Sequence, residues 1–589
     1  MPESTVPLLG DEELTEWVRG AGPPNEHERA RIHQTIDFHQ SRLQHISCQL
    51  DGTLNPMAKS IEDSDGVDSD GIHMPIHTSS PKRAGVPLSL TKIQELTEMR
   101  EQSQSSLKKL ESLLAPIRRI PLELLDNIFI HCLPRERFMK PDITEAPISI
   151  MGVCRVWRDI SINVPELWTS LDLTEKERNL PRRTDPNQCN RTALLDLYFK
   201  RAGSRLPLSL CIDDGPDTVP FNITTTYRKL SHRWQHLKVY QPKCDYFSFP
   251  PGDYSNLETF ELVTPTGMHH TSTTDMAKVL CLAPRLQQFI WTNQVLHPLH
   301  CKLDLKWGRL TRISLNTSIN VDQCLTIMSQ AKRVTHLAFK HISISSATLS
   351  NLNIVLPRLK SFVLHTEYNA AFILNEITAP KLQELVLNLR TWPHDAVKAM
   401  LLRSRCPIES LNLYFPPVSE PELIETLELV QGTLKELTVQ NDAGVPSISE
   451  TILARMTDTG VEPVLCPKVA VIALYGCLKC SPGSFHDMVL SRINPPSRTL
   501  SSEDAEDTDA VDLIPTAPLR VLEMYADEAE QLRVAELRNN GLVLKVYTRE
   551  GKSVEMDEEE AARLRALREN GLVIRAYSPT TGHFGELDD

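Results

Sequence analysis

LTRISL (310–315), VTHLAF (334–339), LKSFVL (359–364) and LQELVL (382–387) share one form, Leu-x-x-Leu-x-Leu with apolar stand-ins, and they decide the fold. Working outward, the form recurs as LETFEL (257), LQQFIW (286), IESLNL (408), LKELTV (434), VAVIAL (469) and LRVLEM (519). Between 286 and 434 the steps are 24, 24, 25, 23, 26 and 26 residues, a period that signals a repeat architecture. Alternation within each segment predicts a strand with its leucine side buried and its other side free. A lone strand of this kind cannot bury its apolar side, so the units must stack into a curved solenoid with a parallel sheet. The expected unit begins with a helix over 192–202 and a strand over 206–212, and the solenoid spans 190–589.

The period and form resemble degenerate leucine-rich repeats. The Asn or Cys usual in that family just past each strand is replaced by Ser318, Glu367 and Arg390, so the solenoid is expected to be irregular. Leu537–Tyr547 returns as Leu567–Tyr577, each reading as a helix ended by Gly541 or Gly571 and then a strand, as a capping repeat would. The acidic run at 501–512 reads as a solvated loop.

Composition narrows the class. The 589 residues carry 63 Lys+Arg against 76 Asp+Glu, a formal charge of −13, which argues against a broad nucleic-acid surface. No run approaches the roughly 18 apolar residues that span a bilayer, and no secretory signal is visible. The 13 cysteines show no framework spacing and read as reduced thiols of a cytoplasmic or nuclear protein.

Residues 1–24 and the linker 51–88, with its SIEDSDGVDSDG, read as disordered. Between them a helix over 25–50 carries an apolar seam at Ile32, Ile36, His39, Leu43, Ile46 and Leu50, with Asn25 and Glu28 placed to cap it. A second helix over 89–115, capped by Thr91 and Gln94, has its seam at Ile93, Leu96, Arg100, Ser103, Leu107, Leu110 and Leu114. The two seams suit an antiparallel pair within the chain, self-association with another chain, or, as the plainer reading, two amphipathic helices packed against the rest of the chain.

Pro121 then opens LELLDNIFIHCL, whose Leu122, Leu124, Leu125, Ile128, Phe129, Cys132 and Leu133 cover about half the helix circumference. So wide an arc on so short a helix implies two partners. A loop from Pro134 to Pro147 leads to one helix with Ile150, Val153, Cys154, Trp157 and Ile160 at helical spacing, and then to VPELW. Some 50 residues make a weak independent core, so this module should lean on a neighbour.

IRRIPLELLDNIFIHCLP followed by PISIMGVCRVWRDISINVPELW resembles a fungal-type F-box over 117–170, with a longer loop between its helices than compact members have. The resemblance implies a three-helix module that docks on the Skp-type adaptor of a cullin–RING ubiquitin ligase. The implied contact residues are Pro121, Leu124, Leu125, Ile128, Val153 and Cys154, with Trp157 and Trp168 as core. The fold class is therefore α+β with an α/β solenoid: N-terminal helices of coiled-coil character, an F-box-like module, and an irregular leucine-rich-repeat solenoid.

No catalytic constellation survives. HERARIH (27–33) has two residues too many for a zinc-protease pair, and Val546 stands where the phosphate-loop motif ending at Ser553 needs its first glycine. Gly66 stands where a calcium loop needs a carboxylate. Cys466, Cys477, Cys480 and His486 offer a CxxC half-site but flank an apolar strand, and buried or surface thiols are the preferred reading. No metal or cofactor is expected. The chain reads as a non-catalytic substrate receptor of an SCF-type ligase, binding an unknown protein substrate. Arg312, His336, Lys340, His365, Asn388 and Tyr414 on the free strand side are the candidate contacts. The rival reading is a scaffold built on the coiled-coil helices and the solenoid, with no ligase link.

Overall fold

The computed structural model describes residues 8–19, 23–62, 90–174, 188–213, 229–240, 252–264, 281–293, 305–343, 352–414, 418–441, 447–493, 495, 515–525, 542–548, 574–578 and 583–586. The chain divides into two compact units, one formed by 1–171 with 193–206, the other by 172–192 with 207–589. The acidic 501–512 run lies outside the described residues, as do residues 63–88 of the expected linker and the helical halves of the two tail repeats.

In the first unit, helix α1 (Asp11–Arg19) occupies a stretch expected to be disordered. Its polar composition hid a short apolar face: Leu14 is buried with Leu9, Ile32, Leu110 and Leu113, and Trp17 and Val18 pack at the edge. Asp11, Glu12 and Glu13 stand in its first turn, where the helix dipole favours carboxylates. Leu9 N–H donates to Thr35 Oγ1 (3.2 Å), and Arg31 pairs with Glu13 (2.8 Å). Helix α2 (Glu26–Glu62) starts as expected: Asn25 Oδ1 accepts from Glu28 N–H (2.8 Å) while Glu28 Oε2 accepts from Asn25 N–H (2.7 Å). It continues twelve residues beyond Leu50, into the stretch read as linker. Losing the apolar seam removes packing, but helical backbone bonds are made within the segment and need no partner surface.

Helix α3 (Leu90–Leu114) runs antiparallel to α2, since Ile32 meets Leu110 while Ile46 and Leu50 meet Leu96. Both seams thus face each other within one chain. The helix begins at Leu90, one residue before the expected cap Thr91. The α3 seam also differs from expectation in one of its two columns. Leu96, Ser103 and Leu110 are buried as expected, and Ile93 and Leu114 pack half-buried against the same clusters, but Ser106 and Leu113 are buried where Arg100 is exposed and Leu107 only half-buried. A one-residue shift of that column leaves the Arg100 guanidinium in water, where burying it unpaired would be costly.

Helix α4 (Leu122–His131) follows, then α5 (Ile148–Val153) and α6 (Arg155–Asn163). The expected single helix through Cys154 is two helices. Cys154 is extended (φ −157°, ψ 173°) and its Sγ accepts from Trp157 N–H (3.4 Å), capping α6. Helix α7 (Gln188–Arg201) begins four residues before expectation and belongs, from Ala193, to this first unit.

The second unit is built on one large sheet whose strand order follows the chain, parallel from Leu208–Asp213 to Ile574–Ser578, with His583–Glu586 added antiparallel at the end. This is an α/β architecture of solenoid-like class. All ten Leu-x-x-Leu-x-Leu segments form strands, and their three apolar positions are buried, as in Leu385 and Leu387 behind Leu382. The tail repeats contribute strands Val543–Thr548 and Ile574–Ser578. Helices Val321–Gln330, His394–Ser404, Glu420–Val430, Glu450–Met456 and Pro482–Ile493 connect successive strands.

In place of an asparagine ladder, the rungs are tied by backbone and hydroxyl groups at the strand starts. Glu258 N–H donates to Gln235 O, Gln287 to Glu258, Thr311 to Gln287, Thr335 to Thr311 and Lys360 to Thr335. The series continues through Gln383, Glu409, Lys435, Ala470, Arg520 and Val543, each bonded to the rung before, all at 2.7–2.9 Å. Thr311 and Thr335 add hydroxyl bonds to the same carbonyls (3.2 and 2.9 Å). Near the C-terminal end, the fully buried Arg492 donates to the carbonyls of Met456, Cys466, Pro467 and Val469 at 2.9–3.4 Å. Burial lowers its pKa to about 10.

Candidate interaction surfaces

Two surfaces collect the residues singled out from the sequence, one in each unit. In the first, Leu125 and Phe129 of α4 point inward and are buried, and the Phe129 ring lies 4.9 Å from Trp157. Trp168 is buried, donates from Nε1 to Ser161 O (2.7 Å) and meets Tyr198 of α7 edge-on at 4.8 Å, with Arg201 4.3 Å over its ring. Burial pushes the Tyr198 phenol up to about 12. The module thus takes α7 as the neighbour its small core requires. The long loop 134–147 is tied down: Met139 is buried, its N–H donates to Ser170 Oγ (3.1 Å), and that hydroxyl donates to Arg137 O (2.8 Å).

The opposite side of α4 is uncovered. Leu124 and Ile128, one turn apart, are 53% and 42% exposed, Leu122 is 51% exposed, and Val153 at the end of α5 is 60% exposed. Pro121 is exposed at the α4 N-cap. Of the six contact residues inferred from the sequence, Leu125 belongs to the core instead. Cys154 is half-buried and committed to its cap. The outward set is Pro121, Leu124, Ile128 and Val153, and Leu122 joins it. Adjacent leucines on a helix point 100° apart, and only packing decides which is covered.

On the large sheet, pairing places the residues between the apolar positions in rows, in which Ser361 and Gln440 are themselves buried. Arg312, His336, Ser361, Glu384, Ser410 and Glu436 are register partners in one row. Asn316, Lys340, His365, Asn388, Tyr414 and Gln440 form another. Of the six candidate contacts, Arg312 and His336 share the first row, while Lys340, His365, Asn388 and Tyr414 share the second. The rows are four residues apart along each strand, about 13 Å. His336 Nδ1 lies 2.9 Å from Thr335 Oγ1, and burial together with nearby Arg312 lowers its pKa. His365 stands 5.1 Å ring to ring from His341; burial first, then His341 and Lys340, holds its pKa down at about 4.

The second row continues past Gln440 to Tyr475, whose hydroxyl donates to Glu523 Oε2 (3.0 Å), and Glu523 also pairs with Lys545 (2.6 Å). The candidate contacts read from the sequence end at Tyr414; extending the same alternation to 469–475 and 519–524 reaches Tyr475 and Glu523. Cys466 and Cys477 are buried with their thiols on the carbonyls of Leu427 and Val439, and burial pushes the Cys466 thiol up to about 12. Among the described residues, no cluster of three or more His, Cys, Asp or Glu side chains is arranged to hold a metal ion. No helix among them is long and apolar enough to cross a membrane.

One surface is apolar and helical, the other polar and formed by strands. Compared with known proteins, the chain matches no family model and no curated sequence.

Proposed function

We propose that this chain is the substrate-recognition subunit of an SCF-type cullin–RING ubiquitin ligase, binding a Skp-type adaptor through its F-box-like module and a protein substrate through its leucine-rich-repeat-like solenoid. The observation that carries the reading is the uncovered apolar side of α4. Leu124 and Ile128 sit outward in water while Leu125 and Phe129 fill the core behind them. An exposed apolar patch rimmed by polar residues is a feature of interaction sites, and this one falls on residues that the family resemblance assigns to the adaptor. The chain's contribution would be positioning: a substrate held on the strand face near a tethered transfer enzyme gains effective concentration with no catalytic group supplied here. Arg312, His336, Lys340, His365, Asn388 and Tyr414 supply the mixed polar surface for that substrate. The scaffold alternative needs free coiled-coil seams, and the seams of α2 and α3 face each other.

The test is capture of a purified Skp-type adaptor by the full-length chain and by a Leu124→Asp/Ile128→Asp variant, with circular dichroism confirming that both fold. Since both side chains are already exposed, folding should be unchanged while binding falls by two orders of magnitude or more, given about 1.5 kcal/mol or more for each buried contact. Absence of binding by the native chain would sink the proposal.

A further inference from the structure

The turn that precedes five consecutive strands carries a cation at one repeating place. Arg285, Arg309, Arg333, Arg358 and Lys381 each stand three residues before Gln288, Arg312, His336, Ser361 and Glu384, which are register partners across neighbouring strands. The same hydrogen bond shapes each turn: Leu286 N–H to Ala283 O, Leu310 to Trp307, Val334 to Ala331, Leu359 to Leu356 and Leu382 to Ala379, at 3.1–3.3 Å. Both residues of every pair are buried. Each turn is therefore anchored on both sides, and the cation between the anchors is exposed. With strands about 4.8 Å apart, five such turns set five cations along roughly 19 Å of rim.

Among the described residues, these charges meet no carboxylate: Arg285 donates to Asn256 Oδ1 (2.9 Å) and Arg309 to Pro284 O (3.4 Å). Lys306, Lys332 and Lys360 are exposed close by in sequence and add to the same field. The line is bounded, with Asn256 before it and Pro407 after it at the equivalent position. In a chain of formal charge −13, this is a local reversal of sign that sets like charges side by side.

We infer that this rim is a docking line for an extended, Asp/Glu-rich segment of another protein. Guanidinium groups recognise carboxylates through paired, charge-assisted hydrogen bonds. An extended segment rising about 3.3 Å per residue covers 19 Å in some six residues, with alternate carboxylates facing the rim. Single-stranded nucleic acid fits less well, because it needs exposed aromatic faces on which to stack bases. The one aromatic residue in these five turns, Trp307, is buried. The inference stands apart from the adaptor proposal, and its test contains no adaptor.

Fluorescence anisotropy of a labelled, short Asp/Glu-rich peptide, titrated with the full-length chain at low and at raised salt, is the experiment. We expect binding that weakens with salt, and a dissociation constant raised at least about tenfold by Arg309→Glu/Arg333→Glu/Arg358→Glu. The milder Arg309→Gln/Arg333→Gln/Arg358→Gln variant should give an intermediate loss. Arg100→Glu/Lys92→Glu/Lys108→Glu on α3 changes net charge equally and should leave binding unaltered. The inference is overturned by no binding to the native chain, by equal loss in the α3 control, or by an oligonucleotide of equal charge displacing the peptide as well as the unlabelled peptide does.

Discussion

His365 is a half-buried imidazole beside His341 and Lys340, on the free side of a central strand. In the unfolded chain it takes a proton near pH 6.5; in the folded chain it does so only near 4. The folded state therefore holds fewer protons across that window, and the stability this represents is complete above about 6.5 and drains away as pH falls toward 4. His336 and His341 are shifted in the same direction, burial being the leading cause in each. The expected outcome is a melting midpoint that drops between about pH 7 and pH 4.5, with a smaller drop in His365→Asn. An equal drop in that variant would place the proton uptake elsewhere. Leu124 and Leu125 show what a residue-level reading from sequence could and could not do. Both were marked by the wide apolar arc of α4, but which of the two met the core was set by Phe129, Trp157 and the helices packed behind them.

Among the elements, α2 shows how local chemistry fixes a boundary that composition leaves open. Its start was legible because Asn25 and Glu28 satisfy each other's backbone N–H groups, a short-range arrangement that needs no tertiary partner. Asn25→Ala should lower the stability of this unit by about 1 kcal/mol, read from chemical denaturation followed by helical circular dichroism. No change would mean that packing of α1 and α3 holds the start of α2 without its cap. Its far end was not legible, since the apolar seam stops at Leu50 and the backbone helix does not. The absence of α1 from the sequence reading has a related cause. Leu14, Trp17 and Val18 are too few to declare a period, yet they suffice once the α2–α3 pair offers Ile32, Leu110 and Leu113 to cover. The column shift on α3 was hidden too: Leu96, Ser103 and Leu110 fit either seam, and what separates the two is whether Leu107 or its neighbour Ser106 turns inward.

At the scale of the whole molecule, the large sheet was the most legible part. Each strand segment is specified by three apolar positions a fixed distance apart, and one error in ten such segments would have left the period intact. What the period could not convey was the means of joining the rungs. The answer is the line of strand-start amides running from Glu258 to Val543, each bonded to the rung before it.

That line has a mechanical consequence. The bonds point along the stacking direction, so tension applied along that axis reaches them one rung at a time, as in a zipper, and not all together, as in shear. A rung occupies about 4.8 Å of the axis while folded and releases up to about 80 Å of chain from its 24 or so residues when it opens. Pulled between clamps at 208 and 548 in an optical trap, the chain should lengthen in repeated low-force steps of that size; a single high-force rupture would show that the rungs break as one. A body that opens in this way would act as a compliant tether more than as a rigid strut. Whatever it holds under load would be kept within reach over a distance many times the folded length.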